Sequence, residues 1–189
     1  MYIPKHFTPR ECFPREIAPR DSYNFDIRNW RRFSPEILVS GDQLRDDYGV
    51  MTGNEGVLNG CGFRLPLKEG SNILYDIDGL SDHYFGRALD LHPKETTAEK
   101  IRLDIVKGKR FPKMVSKKKP IPVNDRYPFI TFLEIDITWL HIAYRNNVVM
   151  NNDMHKYNPM IDGRIELWSP VRGFVDLDEY LETGDLKND

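Results

Sequence analysis

The chain of 189 residues contains only two cysteines, Cys12 and Cys61. Two are too few for a disulfide framework, and both are expected to be reduced. No apolar run approaches the roughly 20 residues that cross a bilayer, so a helical membrane span is excluded. The opening residues, MYIPKHFTPRECFPRE, lack an apolar signal core. That points to synthesis in the cytoplasm without Sec-type export. Charge of one sign is also missing. The 27 Lys and Arg nearly balance 29 Asp and Glu, for a formal net charge of -2. No global field therefore selects nucleic acid or membrane as partner. Internal repeats and low-complexity tracts are absent as well. What remains is an ordinary globular composition, 40% hydrophobic and 30% charged, with enough length for a real core.

Local signals alternate between helix and strand without strict order. In "FTPRE", Thr8 caps, Pro9 takes the first helical position and Glu11 completes a capping box. Residues 12–32 mix Pro, Arg and aromatics without period and read as irregular. "SPEILVSGDQLRDDYG" repeats the Ser-Pro start, with Ile37, Leu38, Leu44 and Tyr48 on one face and Gly49 as stop. "GNEGVLNGCGFR" must turn tightly. "NILYDID" reads as a strand, and Thr96 with Glu99 as a capping box before the helix "AEKIRLDIVKGK". The basic, Pro-punctuated stretch 107–122 is a loop. "FITFLEID" and "WLHIAYR" read as strands, "IDGRIEL" carries an Asp-Gly turn, and "DLDEYLE" is a last helical turn. The expected fold class is α+β, a small antiparallel or mixed sheet flanked by helices.

Two constellations carry chemistry. "LSDHYFGRALDL" holds His83 and Asp90, one imidazole nitrogen and one carboxylate oxygen of the kinds zinc takes. They stand seven residues apart, an odd offset that a straight strand sends to opposite faces. A bend between them is needed, and Gly86 offers one. Gly86 and Ala88 are small, as suits backbone packed close to a metal. The plain alternative is a surface histidine and a helix-capping aspartate. Downstream, "EIDITWLHIAY" places His141 in an apolar strand after two acids, Glu134 and Asp136. A two-residue turn at Ile137-Thr138 pairs Glu134 with His141 and Asp136 with Trp139. Paired residues share a face with Cβ atoms ~5 Å apart, so Glu134 stands where a general base belongs. Ile-Thr is a poor hairpin turn, and a longer loop brings Asp136 there instead. The plain alternative for both acids is a solvated strand face.

Together, S-x-H-x-x-G-x-A-x-D (Ser81, His83, Gly86, Ala88, Asp90) followed by W-x-H (Trp139, His141) resembles the zinc D-Ala-D-Ala carboxypeptidase family. That family includes bacterial carboxypeptidases and dipeptidases, phage endolysins of the L-alanyl-D-glutamate type, and the signalling domain of Hedgehog proteins. "HFTPREC", "QLRDDYG" and Gly62-Phe63-Arg64 extend the likeness to the phage and bacterial branch, over residues 6–145. The resemblance implies a Hedgehog/DD-peptidase-like fold over residues 1–145. It implies one zinc ion per chain on His83, Asp90 and His141, with Arg64 on a substrate carbonyl or carboxylate and Ser81 at the substrate rim. The implied activity is a zinc peptidase cleaving peptidoglycan stem peptides, as a D,D-carboxypeptidase or L,D-endopeptidase, in a phage lysis or virion protein. Such a protein acts on the cell wall after lysis or as a virion component.

This chain departs from the pattern at Thr138, where many relatives carry glutamate. The base is then Glu134 or Asp136, or is missing. Residues 146–189 match nothing in the family. They are expected to be an extension packed on the first domain, or a tail that docks a virion or other protein partner. An inactive zinc-bearing module of the same fold is the competing reading. A nucleic-acid binder, argued from the basic loop Lys107–Lys119 with Phe111 and Tyr127, has weak support. His6, His92 and His155 have no partner pattern. Cys61 reads as packing more readily than as a thiolate ligand or nucleophile.

Overall fold

Strands with alternating small, apolar and ionisable residues build a sheet with two unlike faces. The structure is a computed structural model, and it describes residues 1–14, 17–18, 25–53, 62–63, 81–107, 126–145 and 165–185. In chain order the elements are α1 (Pro9–Cys12), a 3-10 helix (Ile27–Arg32), α2 (Pro35–Tyr48) and β1 (Met51–Gly53). A second 3-10 helix (Asp82–Phe85), β2 (Ala88–Pro93), α3 (Ala98–Lys107), β3 (Phe132–Glu134) and β4 (Leu140–Ala143) follow. The described chain ends with β5 (Glu166–Ser169), β6 (Gly173–Val175) and α4 (Leu177–Thr183). The six strands form one sheet in the order β1-β2-β4-β3-β5-β6. All neighbours are antiparallel except β3 and β5, which run parallel. The expected α+β class with a mixed sheet is what is found. Residues 165–185 are part of that sheet and of the helical layer. β5 lies against β3, and α4 packs on α3.

Successive side chains of a strand point to opposite faces. Leu89 and Leu91 of β2, Leu133 of β3, Leu140 and Ile142 of β4, Leu167 of β5 and Val175 of β6 all belong to the main core. They meet Ile37, Leu38 and Leu44 of α2 and Ile101, Ile105 and Val106 of α3 there. Burying each such side chain contributes about 1.5–3 kcal/mol relative to leaving it in water. The intervening residues face the other way. Ala88, Phe132 and Ala143 form a separate small cluster with Trp168 against it. One face of the sheet therefore supplies stability, and the other is left for polar chemistry.

Several local devices set the helices. The Glu11 carboxylate accepts from the Thr8 amide at 2.8 Å, so the first capping box is present. Gly49, at φ 79°, ends α2. Two expectations are corrected. The cap of α3 is Thr97 and not Thr96, since its hydroxyl accepts the Lys100 amide at 3.1 Å. Residues 27–32, read as irregular, form a 3-10 helix capped by Asp26, whose side chain accepts the Arg28 amide. Its Trp30 joins Phe13, Phe25 and Phe33 in an aromatic cluster with ring centroids 5.1–6.0 Å apart, which holds a segment too short to show a period. The expected strand "NILYDID", the glycine-rich turn beyond Gly53 (apart from Gly62 and Phe63) and the basic loop after Lys107 lie outside the described residues.

Arg102 is a buried cation on α3. Its guanidinium donates to the carbonyls of Trp139 and Ile137, each at 2.9 Å, and pairs with Asp185. Arg172, next to β6, makes a two-pronged pair with Asp136 at 2.8 and 3.0 Å. Asp136 is the one non-glycine residue with positive φ among the described residues, at 60°. Two arginines thus fix the connection between β3 and β4, and the second of them comes from the C-terminal hairpin.

Gly86 joins the second 3-10 helix to β2 in the left-handed region, at φ 61°. Its carbonyl accepts the Ser34 amide at 2.9 Å. A Cβ there would run into the Arg32 carbonyl and Phe33 backbone, which no rotamer relieves. Gly86→Ala is expected to cost at least ~2 kcal/mol through strain and clash together. Thermal denaturation followed by circular dichroism should show the midpoint falling by more than ~4 °C. An unchanged midpoint would contradict the close approach at Gly86.

Candidate metal centre

The bend expected between His83 and Asp90 is the turn at Gly86. Ser81 starts the short helix that carries His83, its hydroxyl accepting the His83 amide at 3.4 Å. Gly86 closes it, with its amide donating to the His83 carbonyl at 3.2 Å. β2 then begins, and Asp90 is its third residue. In the sheet Asp90 stands opposite His141, and His141 stands opposite Glu134. Sequence reasoning expected the pairing of Glu134 with His141, and the ladder has it.

All three candidate ligands are buried. His83 is 1%, Asp90 3% and His141 8% exposed. Each offers a donor atom, and these atoms lie within 4.8 Å of one another. His141 Nδ1 is 2.6 Å from one Asp90 oxygen, and His83 Nε2 is 3.2 Å from the other. The two rings meet edge to face with centroids 5.1 Å apart.

The proton on His83 can be placed. Its Nδ1 is 2.6 Å from the Gly62 carbonyl oxygen. A carbonyl only accepts, so Nδ1 must carry hydrogen and donate. In the neutral ring, Nε2 then presents a lone pair toward the Asp90 carboxylate, and two acceptors at that distance repel. The arrangement is favourable only with a positive charge between them, a second proton or a metal ion. Outer hydrogen bonds of this kind commonly orient metal-bound imidazoles. Burial alone would push the Asp90 carboxyl above its usual range. Hydrogen bonds and charge from His141 and His83 outweigh that and hold it far below. Asp90 is thus a carboxylate in the folded protein. Two imidazoles and a carboxylate, buried and converging, can hold a metal ion.

Glu134 Oε2 is 3.9 Å from His141 Nδ1, beside the cluster and lining a cleft of 350 Å³ with Ser81, Asp82 and His141. Asp136 is buried and held by Arg172. Asp82 pairs with Arg145 at 2.8 Å. Arg64 and Cys61 lie outside the described residues. His6, which showed no partner pattern in sequence, has Asp46 at 2.6 Å. Three groups went unforeseen. They are the Gly62 carbonyl, Arg145 and the aromatic pair Trp168 and Phe174, which line the same cleft from β5 and β6. The glycine before Phe63 was visible in sequence, but a backbone acceptor leaves no side-chain signal.

Compared with protein-family models, with curated proteins and with solved structures, the chain shows no match. No helix among the described residues is long and apolar enough to cross a membrane.

Protein exposed to zinc, manganese or cobalt salts and then dialysed is expected to hold one divalent ion per chain by elemental analysis. His83→Ala and His141→Ala should each remove most of it. Stoichiometric metal in the double variant would place the ion elsewhere.

Proposed function

We propose that the protein is a zinc-dependent peptidase acting on peptidoglycan stem peptides, a phage lysis or virion protein in setting. The observation that carries this reading is the buried His83-Asp90-His141 cluster with Glu134 beside it at the wall of an open cleft. The S-x-H-x-x-G-x-A-x-D and W-x-H motifs supply the substrate class by resemblance. Zinc suits two imidazoles and one carboxylate, and when bound it supplies a Lewis acid.

The chain's own groups have separate tasks. His83, Asp90 and His141 hold the ion, with the Gly62 carbonyl fixing the His83 ring. Glu134 accepts a proton from the attacking water and returns it to the leaving amine. Arg64 binds the substrate oxygen that gains charge, a task suited to its planar fork. Ser81, at the rim, contacts the peptide. Asp136 holds the β3–β4 connection through Arg172, which favours Glu134 as base.

Thr138 gives the second reading its support, because many members of the family that the motifs resemble carry glutamate there. In this chain position 138 is exposed in the β3–β4 connection. If Glu134 does not replace that acid, the protein is a zinc-bearing module without turnover.

Glu134→Gln keeps shape but cannot accept a proton. It is expected to retain full zinc and lose ~10²–10⁴ in the rate of stem-peptide hydrolysis. Asp136→Asn should lose less rate and more thermal stability. The reverse ranking would make Asp136 the base, and a wild type inert toward D-Ala-D-Ala, L-Ala-D-Glu and cross-link substrates would favour the module.

Arg64→Ala should keep zinc content and melting temperature nearly unchanged while kcat/KM falls. Lost stability with undiminished activity per folded molecule would remove Arg64 from the site.

A further inference from the structure

The ladder that brings Asp90, His141 and Glu134 into one row does not stop at Glu134. Glu134 stands opposite Trp168 of β5, and Trp168 opposite Phe174 of β6. Residues in register share a face, so one row crosses five strands as Asp90, His141, Glu134, Trp168 and Phe174. Neighbouring strands are ~4.8 Å apart. The two aromatics therefore begin one strand beyond the candidate base and reach about two strands beyond it, ~10 Å in all. That is the reach of one long side chain, not of several residues or of a distant sugar.

The wall is aromatic where it can select. Phe132, Trp168 and Phe174 all line the 350 Å³ cleft. Phe174 keeps 63% of its surface exposed, although burial favours an aromatic ring. The charges nearby are engaged with one another. Arg145 pairs with Asp82 and with Glu166 at 2.8 and 3.2 Å, and lies over the Phe132 ring at 3.4 Å from its centroid. An alanine methyl would fill little of this space.

We infer that Trp168 and Phe174 are specificity-determining residues, receiving a long side chain with an apolar body from the substrate residue beside the cleaved bond. The inference rests on the peptidase reading and narrows it. Among stem-peptide bonds, one flanked by a long side chain is preferred to one joining two alanines. In a fitted apolar pocket a single methylene changes selectivity roughly 10- to 200-fold, so the preference should be large.

The test uses two synthetic stem-type peptides that differ only beside the cleaved bond, with norleucine in one and alanine in the other. Affinity is measured by calorimetry on zinc-loaded Glu134→Gln protein, so that bound peptide is not consumed. Turnover is measured on otherwise wild-type protein. The norleucine peptide is expected to bind at least tenfold more tightly and to show the same advantage in kcat/KM. Phe174→Ala, an exposed change that should fold normally, is expected to cut that advantage at least threefold, mainly through KM. It should leave zinc content unchanged and affect the alanine peptide less than the norleucine peptide. Trp168→Ala should do the same more strongly. Equal affinity for the two peptides overturns the inference, as does an advantage that survives both substitutions. Displacement of peptide by a peptidoglycan disaccharide at the unsubstituted wall, and not in Phe174→Ala, would also overturn it in favour of a sugar. If no peptide is cut while the affinity difference and its loss in Phe174→Ala persist, the peptidase reading falls and the pocket assignment stands.

Discussion

A carboxylate buried between two imidazoles is the constraint around which the rest is arranged. An ionised Asp90 away from water would be costly without partners. His141 and His83 supply them, one across the β2–β4 ladder and one from the turn before β2. Their positions depend on particular backbone features. The left-handed Gly86 reverses the chain so that an odd sequence offset becomes a shared site. The Gly62 carbonyl fixes the tautomer of His83. Arg102 and Arg172 both hold the β3–β4 connection, so the strand bearing Glu134 and the strand bearing His141 keep their register.

That division of labour explains the two faces of the sheet. Leucine and isoleucine side chains on one face pack against α2 and α3. The other face packs small residues, Ala88 and Ala143, beside Phe132 and Trp168, and the ionisable groups it carries are offset by one another, Asp90 by His141 and His83. The chemistry proposed for Glu134 is a consequence of pairing, because its neighbours on either side are His141 and Trp168. A carboxylate elsewhere on β3 would face the core or stand two residues along the strand from the metal cluster.

Much of this was legible in the sequence, for identifiable reasons. His83 and Asp90 stood out by residue type, and the resemblance of the S-x-H-x-x-G-x-A-x-D and W-x-H motifs joined His141 to them. The Glu134–His141 pairing followed from a short turn centred on Ile137-Thr138. The helix 35–48 was visible through its Ser-Pro start and apolar face. The α3 cap was misplaced by one residue, since adjacent threonines offer the same hydroxyl and only the path from β2 chooses between them. The 3-10 helix at 27–32 is held by long-range aromatic contacts, which leave no local period. The three-residue strand β1 lacks enough length to alternate. Trp168 and Phe174 were unforeseen because nothing within residues 146–189 reveals which distant strand they join.

The parallel pairing of β3 with β5 has a consequence for how the protein is made. The Ile135 amide donates to the Trp168 carbonyl, and the Glu166 amide to the Thr131 carbonyl, at 2.8 and 2.9 Å. Until β5 arrives, those groups at the two ends of β3 belong to an unprotected sheet edge, a template for pairing with another chain. Parallel pairing also needs a long crossover and closes slowly. A nascent chain holding both histidines and Asp90 but not yet β5 would thus be vulnerable to aggregation, and the C-terminal hairpin acts as the seal that ends this exposure.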